Sequence, residues 1–351
     1  MVYFTRYSKR AAQLLFLFVL SLVLAACEEA KDAHFTLSGQ TMGTSYHITV
    51  VEPANTQSDP ATLQQAIDQQ LVLLNQQMST YIDDSELNRL NRALIGEWVP
   101  VSTNLFDVLL LSMEIGWTSS GAFDITVGPL VDLWGFGPGK ALASPALPTV
   151  DDIQQRLSNT GFNNIELNVE NNSVMKVKAI ALDLSGVAKG YAVDKIAELL
   201  QFAGYDRFMV EIGGEIRLQG NSPRRVPWRI AIEQPDPGRF GSPRQAVNLS
   251  DVALATSGDY RNYFEKDGKR YSHTIDPRTG YPVEHSLASV TVIADTSAYA
   301  DALATAINVM GPERGMQMAV EQGLAVYIIV KSGDGFVDSY SAAFKPYLES
   351  N

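Results

Sequence analysis

One cysteine in 351 residues excludes any disulfide within the chain, and Cys27 lies far from every other candidate for chemistry. With no thiol nucleophile in the body of the chain and no Ser-His-Asp signature, a covalent enzyme intermediate is not expected. Internal repeats, low-complexity tracts and obvious linkers are absent too. Positive charge is scarce. Three of the 27 basic residues, Arg6, Lys9 and Arg10, fall in an N-terminal stretch without acids, so the remainder sets 24 basic residues against 39 acidic ones, a net charge of −15. A surface of that sign argues against nucleic acid, or an anionic bilayer, as a partner held by charge. An anionic ligand would need a local device against repulsion, and a bound metal ion is the simplest.

What is present is an ordinary globular composition, 46% hydrophobic, long enough for one large or two modest domains. Residues 1–26 read as a secretory leader: Arg6, Lys9 and Arg10 precede an apolar run from Ala11 to Ala26, short for a spanning helix. The run ends in Leu24-Ala25-Ala26-Cys27, which resembles the lipobox of bacterial lipoproteins, where the cysteine carries the lipid. An uncleaved anchor with an incidental Cys27 is the alternative. Glu28, in place of the aspartate read as an inner-membrane retention signal, leans towards the outer membrane. Residues 27–36 read as a polar tether, and 37–351 as the folded domain.

Hydrophobic spacing outlines the elements. QTMGTSYHITV, Gln40 to Val50, reads as the first strand, with Gly43 a bulge, a close approach or a plain strand glycine. Asp59 and Pro60 suit N-cap and N1 of a helix burying Leu63, Ile67, Leu71, Leu74 and Met78. Further helices are expected to Ala93, from Ser102 or Thr103 to Ser119, and over Asp151–Asn159. Strands are expected at 164–169, 173–177 and 180–184. Gly121 to Gly139 is glycine- and aromatic-rich without a clean period, so it lines a pocket or wraps a core. In DLSGVAKGY, Asp183 to Tyr191, strand, tight turn and helix start follow one another; the free N–H groups make an anion site with Lys189, or the join is an ordinary one. Arg207–Ile212 and Glu215–Gln219 form a hairpin about Gly213-Gly214. Strands then fall at 228–233, 246–250, 252–256 and 287–294, followed by helices from Asp295 or Thr296 to Met310 and over 313–322. Strands at 325–330 and 336–338 close the chain. The expected class is α+β, with mixed, largely antiparallel sheets and flanking helices.

Two places carry candidate chemistry. Tyr271 to Pro282, YSHTIDPRTGYP, reads as a strand from Arg270 to Ile275 entering a sharp loop that holds polar side chains over a cavity, or as a surface hairpin with turn residues. On the helix after Thr296, Asp301 and Thr305 project from one face a turn apart, among Ala298, Ala302, Ala304 and Ala306. A carboxylate plus a hydroxyl with small neighbours suits Mg²⁺; alternatively Thr305 bonds back to its own helix and Asp301 is solvated.

Five stretches in order, QTMGTSY (40–46), GAFDITVGPLVDLWGF (121–136), DLSGVAKGYAVD (183–194), HTIDPRTG (273–280) and ADALATA (300–306), resemble the ApbE family of bacterial envelope flavin transferases. The resemblance spans nearly the whole chain from Leu37. It implies an ApbE-like fold and an FAD:protein FMN transferase, which splits FAD, links FMN by a phosphoester bond to a Thr or Ser of a target protein, and releases AMP. By position, the resemblance makes Asp301, Thr305 and the Gly186 carbonyl the Mg²⁺ ligands. It places Met42, Tyr81, Ala122, Phe123, Asp124, Asp183, Lys189, Ile275 and Ala304 around FAD, and His273 as the histidine needed for activity. Asp276 would orient His273 or act in its stead, and His285 is a weaker candidate. The implied targets are envelope redox proteins such as quinone reductase or related electron-transfer subunits, reached from a lipid anchor at the periplasmic face. An FAD pyrophosphatase, with water replacing the hydroxyl, and a flavin carrier without catalysis are the competing readings.

Overall fold

The computed structural model describes residues 31–53, 59–137, 147–236, 241–258 and 262–348; the leader and Cys27 lie outside them. Strands β1 (His34–Thr41) and β2 (Thr44–Val51) open the fold. They pair in register from His34/Val51 to Thr41/Thr44, so the single strand expected over 40–50 is a hairpin instead. Its two turn residues, Met42 and Gly43, both have positive φ, 48° and 74°. That is the twist-matched two-residue turn, which favours glycine and leaves Gly43 neither a bulge nor a close approach. The folded domain also begins earlier than Leu37. Asp32 accepts from Arg207 Nη1 at 2.6 Å and Arg225 Nη2 at 2.7 Å, which ties down the end of the supposed tether.

Helix α1 (Pro60–Met78) buries Leu63, Ile67, Leu71, Leu74 and Met78, and the Asp59 side chain accepts from Thr62 N at its start. Helix α2 (Glu86–Arg92), strand β3 (Trp98–Pro100) and helix α3 (Thr103–Thr118) follow. After short α4 (Gly128–Leu133) and α5 (Val150–Leu157) come β4 (Ile165–Asn168) and β5 (Ser173–Lys176), which with β3 make a three-stranded sheet. No strand forms at 180–184. There the Asn91 side chain takes the neighbour strand's place, accepting from Leu182 N at 2.7 Å and donating to Leu182 O at 3.0 Å.

Helix α6 (Ala188–Phe202) leads into β6 (Phe208–Ile212), β7 (Glu215–Gln219), β8 (Trp228–Glu233), β9 (Pro243–Leu249) and β10 (Ala253–Gly258). Hairpin β11 (Tyr263–Lys266) and β12 (Lys269–Ser272) and the two-residue strands β13 (Ile275–Asp276) and β14 (Tyr281–Pro282) break up what reads as one strand from Arg270 to Ile275. Strand β15 (Leu287–Ala294), helices α7 (Ser297–Met310) and α8 (Pro312–Glu321), and strands β16 (Ala325–Ser332) and β17 (Gly335–Tyr340) complete it.

One antiparallel sheet of eight strands, in the order β1-β2-β6-β7-β10-β15-β16-β17, organises these elements. Strand side chains alternate between its faces. Val326 and Ile328 of β16 join the core under the helices, while Tyr327 and Ile329 join a second core shared with Trp228, Val247 and Phe344. A third, smaller core of Leu130, Trp134, Ile153, Phe264 and Ile275 lies apart. The result is α+β with helices packed on an antiparallel sheet.

Two contacts fix α7 against α6. Asp194 accepts from Ser297 N at 2.9 Å and Ala298 N at 2.8 Å, capping α7 from the neighbouring helix, and Thr296 caps it locally. Gly190 lets the helices touch, because a Cβ there would stand 2.4 Å from Ser297 O. Gly190→Ala is therefore expected to destabilise the fold by about 1–3 kcal/mol, since backbone cannot yield as a side chain does. Thermal unfolding of the variant checks this. The alanines around Asp301 belong to the core: Ala298, Ala302, Ala304 and Ala306 are all buried in it and do not open room for a ligand.

Candidate active site

A cavity of about 590 Å³ lies where the amino end of α6, the Gly213-Gly214 turn, β8, the end of β10, the His273 segment and α7 converge. That is an ordinary size for a small-molecule site. Tyr81, Ala122, Phe123, Asp124, Asp183, Gly186, Lys189, His273, Ile275, Asp301 and Thr305 all line it, so residues as far apart in sequence as Tyr81 and Thr305 meet in one place. Met42 does not: it sits in the β1–β2 turn, half-buried against the main core. Ala304 is fully buried behind Asp301, and Asp276 is also outside the wall.

On α7 the cavity side carries a buried carboxylate and a half-buried hydroxyl. Asp301 Oδ2 accepts from Gly190 N at 3.1 Å and lies 4.0 Å from Lys189 Nζ. Thr305 Oγ1 forms no hydrogen bond among the described residues, so the reading in which it folds back on its helix is not the arrangement found. Facing it is Gly186, where a Cβ would stand 3.2 Å from Thr305 Oγ1 and 3.1 Å from Phe123 Cε2. The helix start itself is not the free anion site the sequence suggests. Ala188 N already donates to Leu184 O and Gly190 N to Asp301, whose carboxylate is the anion held there.

Lys189 is shared. Its Nζ lies 2.9 Å from Glu215 Oε1, and Glu215, only 3% exposed, has its Oε2 buried without a hydrogen bond among the described residues. Burial pushes the Glu215 carboxyl up to about 7 against the pull of Lys189, and burial likewise raises Asp301. For Lys189, burial works against the ammonium, but Asp301 and then Glu215 outweigh it and the group is raised. One ammonium thus faces two buried carboxylates, each of which burial holds back from ionising.

That residue set fits a small divalent cation. A carboxylate, an unengaged hydroxyl and a nearby backbone carbonyl are hard oxygen donors of the kind Mg²⁺ takes, with positions left for water and phosphate. Among the described residues no group of three or more His, Cys, Asp or Glu side chains could hold a metal, so the cation would rest on this mixed set. Gly186→Ala is expected to fill the space in front of Thr305. The fold should persist while the concentration of Mg²⁺ needed for half-maximal turnover rises about tenfold or more, as for other disturbances of a metal's supporting shell. Metal titration of the variant is the check.

His273 lines the same cavity. Its Nδ1 lies 3.0 Å from Asn262 O, and a carbonyl can only accept, so Nδ1 carries the proton and Nε2 keeps its lone pair. Burial, then the Lys189 and Arg270 charges, hold the imidazolium form down against the favourable Asn262 bond. Asp276 is not its orienter. Both Asp276 oxygens are taken by Arg278, at 2.9 Å to Nε and 2.8 Å to Nη2, and Oδ1 also accepts from Arg278 N. That ion pair removes Asp276 from both expected roles. Asp124 is likewise engaged: Thr126 N, Thr126 Oγ1 and Phe162 N all donate to it, so it shapes the wall as a loop brace.

The 121–137 segment does both things its composition allows. Ala122, Phe123, Ile125, Val127, Val131 and Phe136 line the cavity, while Leu130 and Trp134 build the third core. Trp134 Nε1 donates to Gly280 O at 2.8 Å, and the rings of Trp134, Tyr271, Phe264 and Phe136 lead in succession to His273. Sequence reading missed Glu215 and Asn262. Neither sits in a recognisable motif, and their partners Lys189 and His273 are found only once the sheet is assembled.

A fixed-tautomer histidine in one cavity with hard oxygen donors and a lysine is the layout of a phosphoryl-group transfer centre. The comparisons agree. Residues 42–328 match the model of the ApbE family. A Vibrio cholerae protein named FAD:protein FMN transferase is 46% identical over 330 residues, covering 93% of this chain and 96% of that one. The solved flavin transferase ApbE from Vibrio cholerae superposes with a TM-score of 0.82 at 44% identity, covering 90% and 99%. The apo form of Pseudomonas stutzeri flavinyl transferase ApbE gives 0.83 at 36% identity, covering 92% and 98%. The chain belongs to the ApbE family.

Proposed function

We propose that this protein is a Mg²⁺-dependent FAD:protein FMN transferase. The observation that carries the reading is the single cavity uniting Gly186, Lys189, Asp301 and Thr305 with a His273 whose Nε2 is free to accept a proton. In the reaction, a threonine or serine hydroxyl of a target protein bonds to the FMN phosphorus, and the bond from that phosphorus to the bridging oxygen breaks. The hydroxyl proton passes to His273 Nε2, and AMP leaves with the bridging oxygen. Asp301, Thr305 and the Gly186 carbonyl would hold Mg²⁺, which when bound neutralises charge on the pyrophosphate oxygens. Lys189, anchored by Glu215, adds a fixed positive charge beside them in a chain that is otherwise strongly acidic. Phe123 and the exposed Tyr81 offer flat apolar surfaces to the ring systems of FAD.

The acceptors are envelope redox proteins, such as subunits of quinone reductases or related electron-transfer complexes. Lipid on Cys27 places the enzyme at the periplasmic face of a membrane, with a lean to the outer one. No helix among the described residues is long and apolar enough to cross a membrane. Asp32 is already part of the fold, so five residues reach back to Cys27, about 17 Å at full extension.

The experiment mixes the mature chain with FAD, Mg²⁺ and a candidate acceptor domain and measures protein-bound FMN, free FMN and AMP. Covalent FMN equal to AMP is the expected result. AMP with only free FMN would make the protein a pyrophosphatase, and intact FAD would make it a carrier.

A further inference from the structure

Asn308 lies three residues past Thr305 on α7 and is fully buried. Its Nδ2 donates to Ser257 Oγ at 3.2 Å and to Thr274 Oγ1 at 3.4 Å. Its backbone carbonyl accepts from His285 Nε2 at 2.6 Å. Thr274 directly follows His273, and Val283 N donates to Thr274 O at 3.0 Å, closing the loop between them. The loop that carries His273 is thus fastened to the last turns of α7 near both of its ends, each time through Asn308. Ser257 and Thr274 also line the cavity.

Packing alone does not call for an amide here. Asn308 Oδ1 is buried without a hydrogen bond among the described residues, so an amide at this place is not there to satisfy its own polar atoms; its value lies in what Nδ2 reaches. What the amide adds is direction. It links the helix bearing Asp301 and Thr305 to Thr274, the residue next to His273. His285, a weaker candidate for the base on sequence grounds, has its Nε2 committed to this clamp.

We propose that Asn308 is a positioning residue. Through Thr274 and His285 it sets the distance between the His273 base and the Asp301–Thr305 pair, so that the acceptor hydroxyl meets the base and the phosphorus together. The inference rests on the transferase reading. It predicts that loosening the clamp harms transfer to a protein hydroxyl without harming FAD binding, because water tolerates a displaced base better than a tethered hydroxyl does.

The test uses Asn308→Leu, Thr274→Val and the double variant in the full mature chain, with FAD, Mg²⁺ and acceptor. Each single variant should keep its KM for FAD within about twofold, lose about tenfold or more in covalent transfer, and release a larger share of FMN free. The double variant should be no worse than Asn308→Leu, since both break one linkage. Transfer at the wild-type rate, a loss that follows KM for FAD, or losses that multiply in the double variant would overturn the proposal. Should Asn308→Leu fail to fold, Thr274→Val decides by the same readouts. Wild-type chain that cleaves FAD without marking the acceptor would overturn the transferase reading instead, and the kcat-against-KM split on FAD cleavage would then judge the clamp.

Discussion

Replacing Asp301 by alanine is expected to lower FMN transfer on the order of 10²–10³-fold and to erase its response to Mg²⁺. The size follows from what the carboxylate does in its surroundings. It is the one acidic group on the cavity side of α7, it is buried, and its other contacts are the Gly190 amide and the distant edge of Lys189. Alanine therefore removes the one carboxylate of the proposed cation site, while the Lys189–Glu215 pair at 2.9 Å remains. Burial already disfavours the Asp301 charge, but alanine leaves the buried Gly190 amide without its acceptor, so the fold should survive with a loss of about 1–3 kcal/mol, read by thermal unfolding. A variant that keeps Mg²⁺-stimulated transfer would remove Asp301 from the reaction.

Replacing His273 by alanine should lower covalent transfer by about 10²–10⁴-fold with FAD affinity retained. His273 is half-buried at the cavity wall with Nδ1 tied to Asn262, so its contribution is a proton acceptor at Nε2 and not a grip on the nucleotide. The pH dependence has a definite sign. Burial is the largest influence on the ring, with Lys189 and Arg270 adding to it, and the imidazole is held below its ordinary value of 6.5. The neutral, proton-accepting form therefore survives to lower pH. The acid limb of kcat/KM should fall below pH 6.5 in the wild type and disappear from the His273→Ala profile. A rate unchanged by the substitution, or an acid limb that stays, would assign the proton to another group.

Much of this fold is legible in the sequence because local chemistry decides it. Asp59-Pro60 and the spacing of Leu63, Ile67, Leu71, Leu74 and Met78 define α1, and Gly213-Gly214 between two alternating runs defines the β6–β7 hairpin. The failures fall where distant residues supply the hydrogen bonds. Residues 180–184 look like a strand, but Leu182 spends both its backbone groups on the Asn91 side chain and Asp183 N donates to Ile125 O. Gly43 reads as an interruption within a strand, since nothing local announces that β1 begins at His34 and needs a turn there.

The site divides in the same way. Asp301 and Thr305 are legible from helical spacing, and His273 from its polar, broken loop. The partners that decide their chemistry are not. Asp276, three residues from His273, is the natural guess for its orienter. Arg278, two residues further on, captures it with a two-pronged ion pair, and the His273 ring turns to the Asn262 carbonyl instead. Glu215 meets Lys189 only across the assembled sheet.

The central claim, a divalent cation held between α7 and the turn before α6, is tested most directly by diffraction from crystals soaked with FAD and Mn²⁺. Mn²⁺ shares the oxygen preference of Mg²⁺ and can be located by its anomalous signal. A single peak is predicted about 2.0–2.3 Å from an Asp301 carboxylate oxygen, Thr305 Oγ1 and the Gly186 carbonyl, with the pyrophosphate of FAD on its open side. Bound FAD with no peak at those atoms, or with manganese held elsewhere in the cavity, would contradict the account.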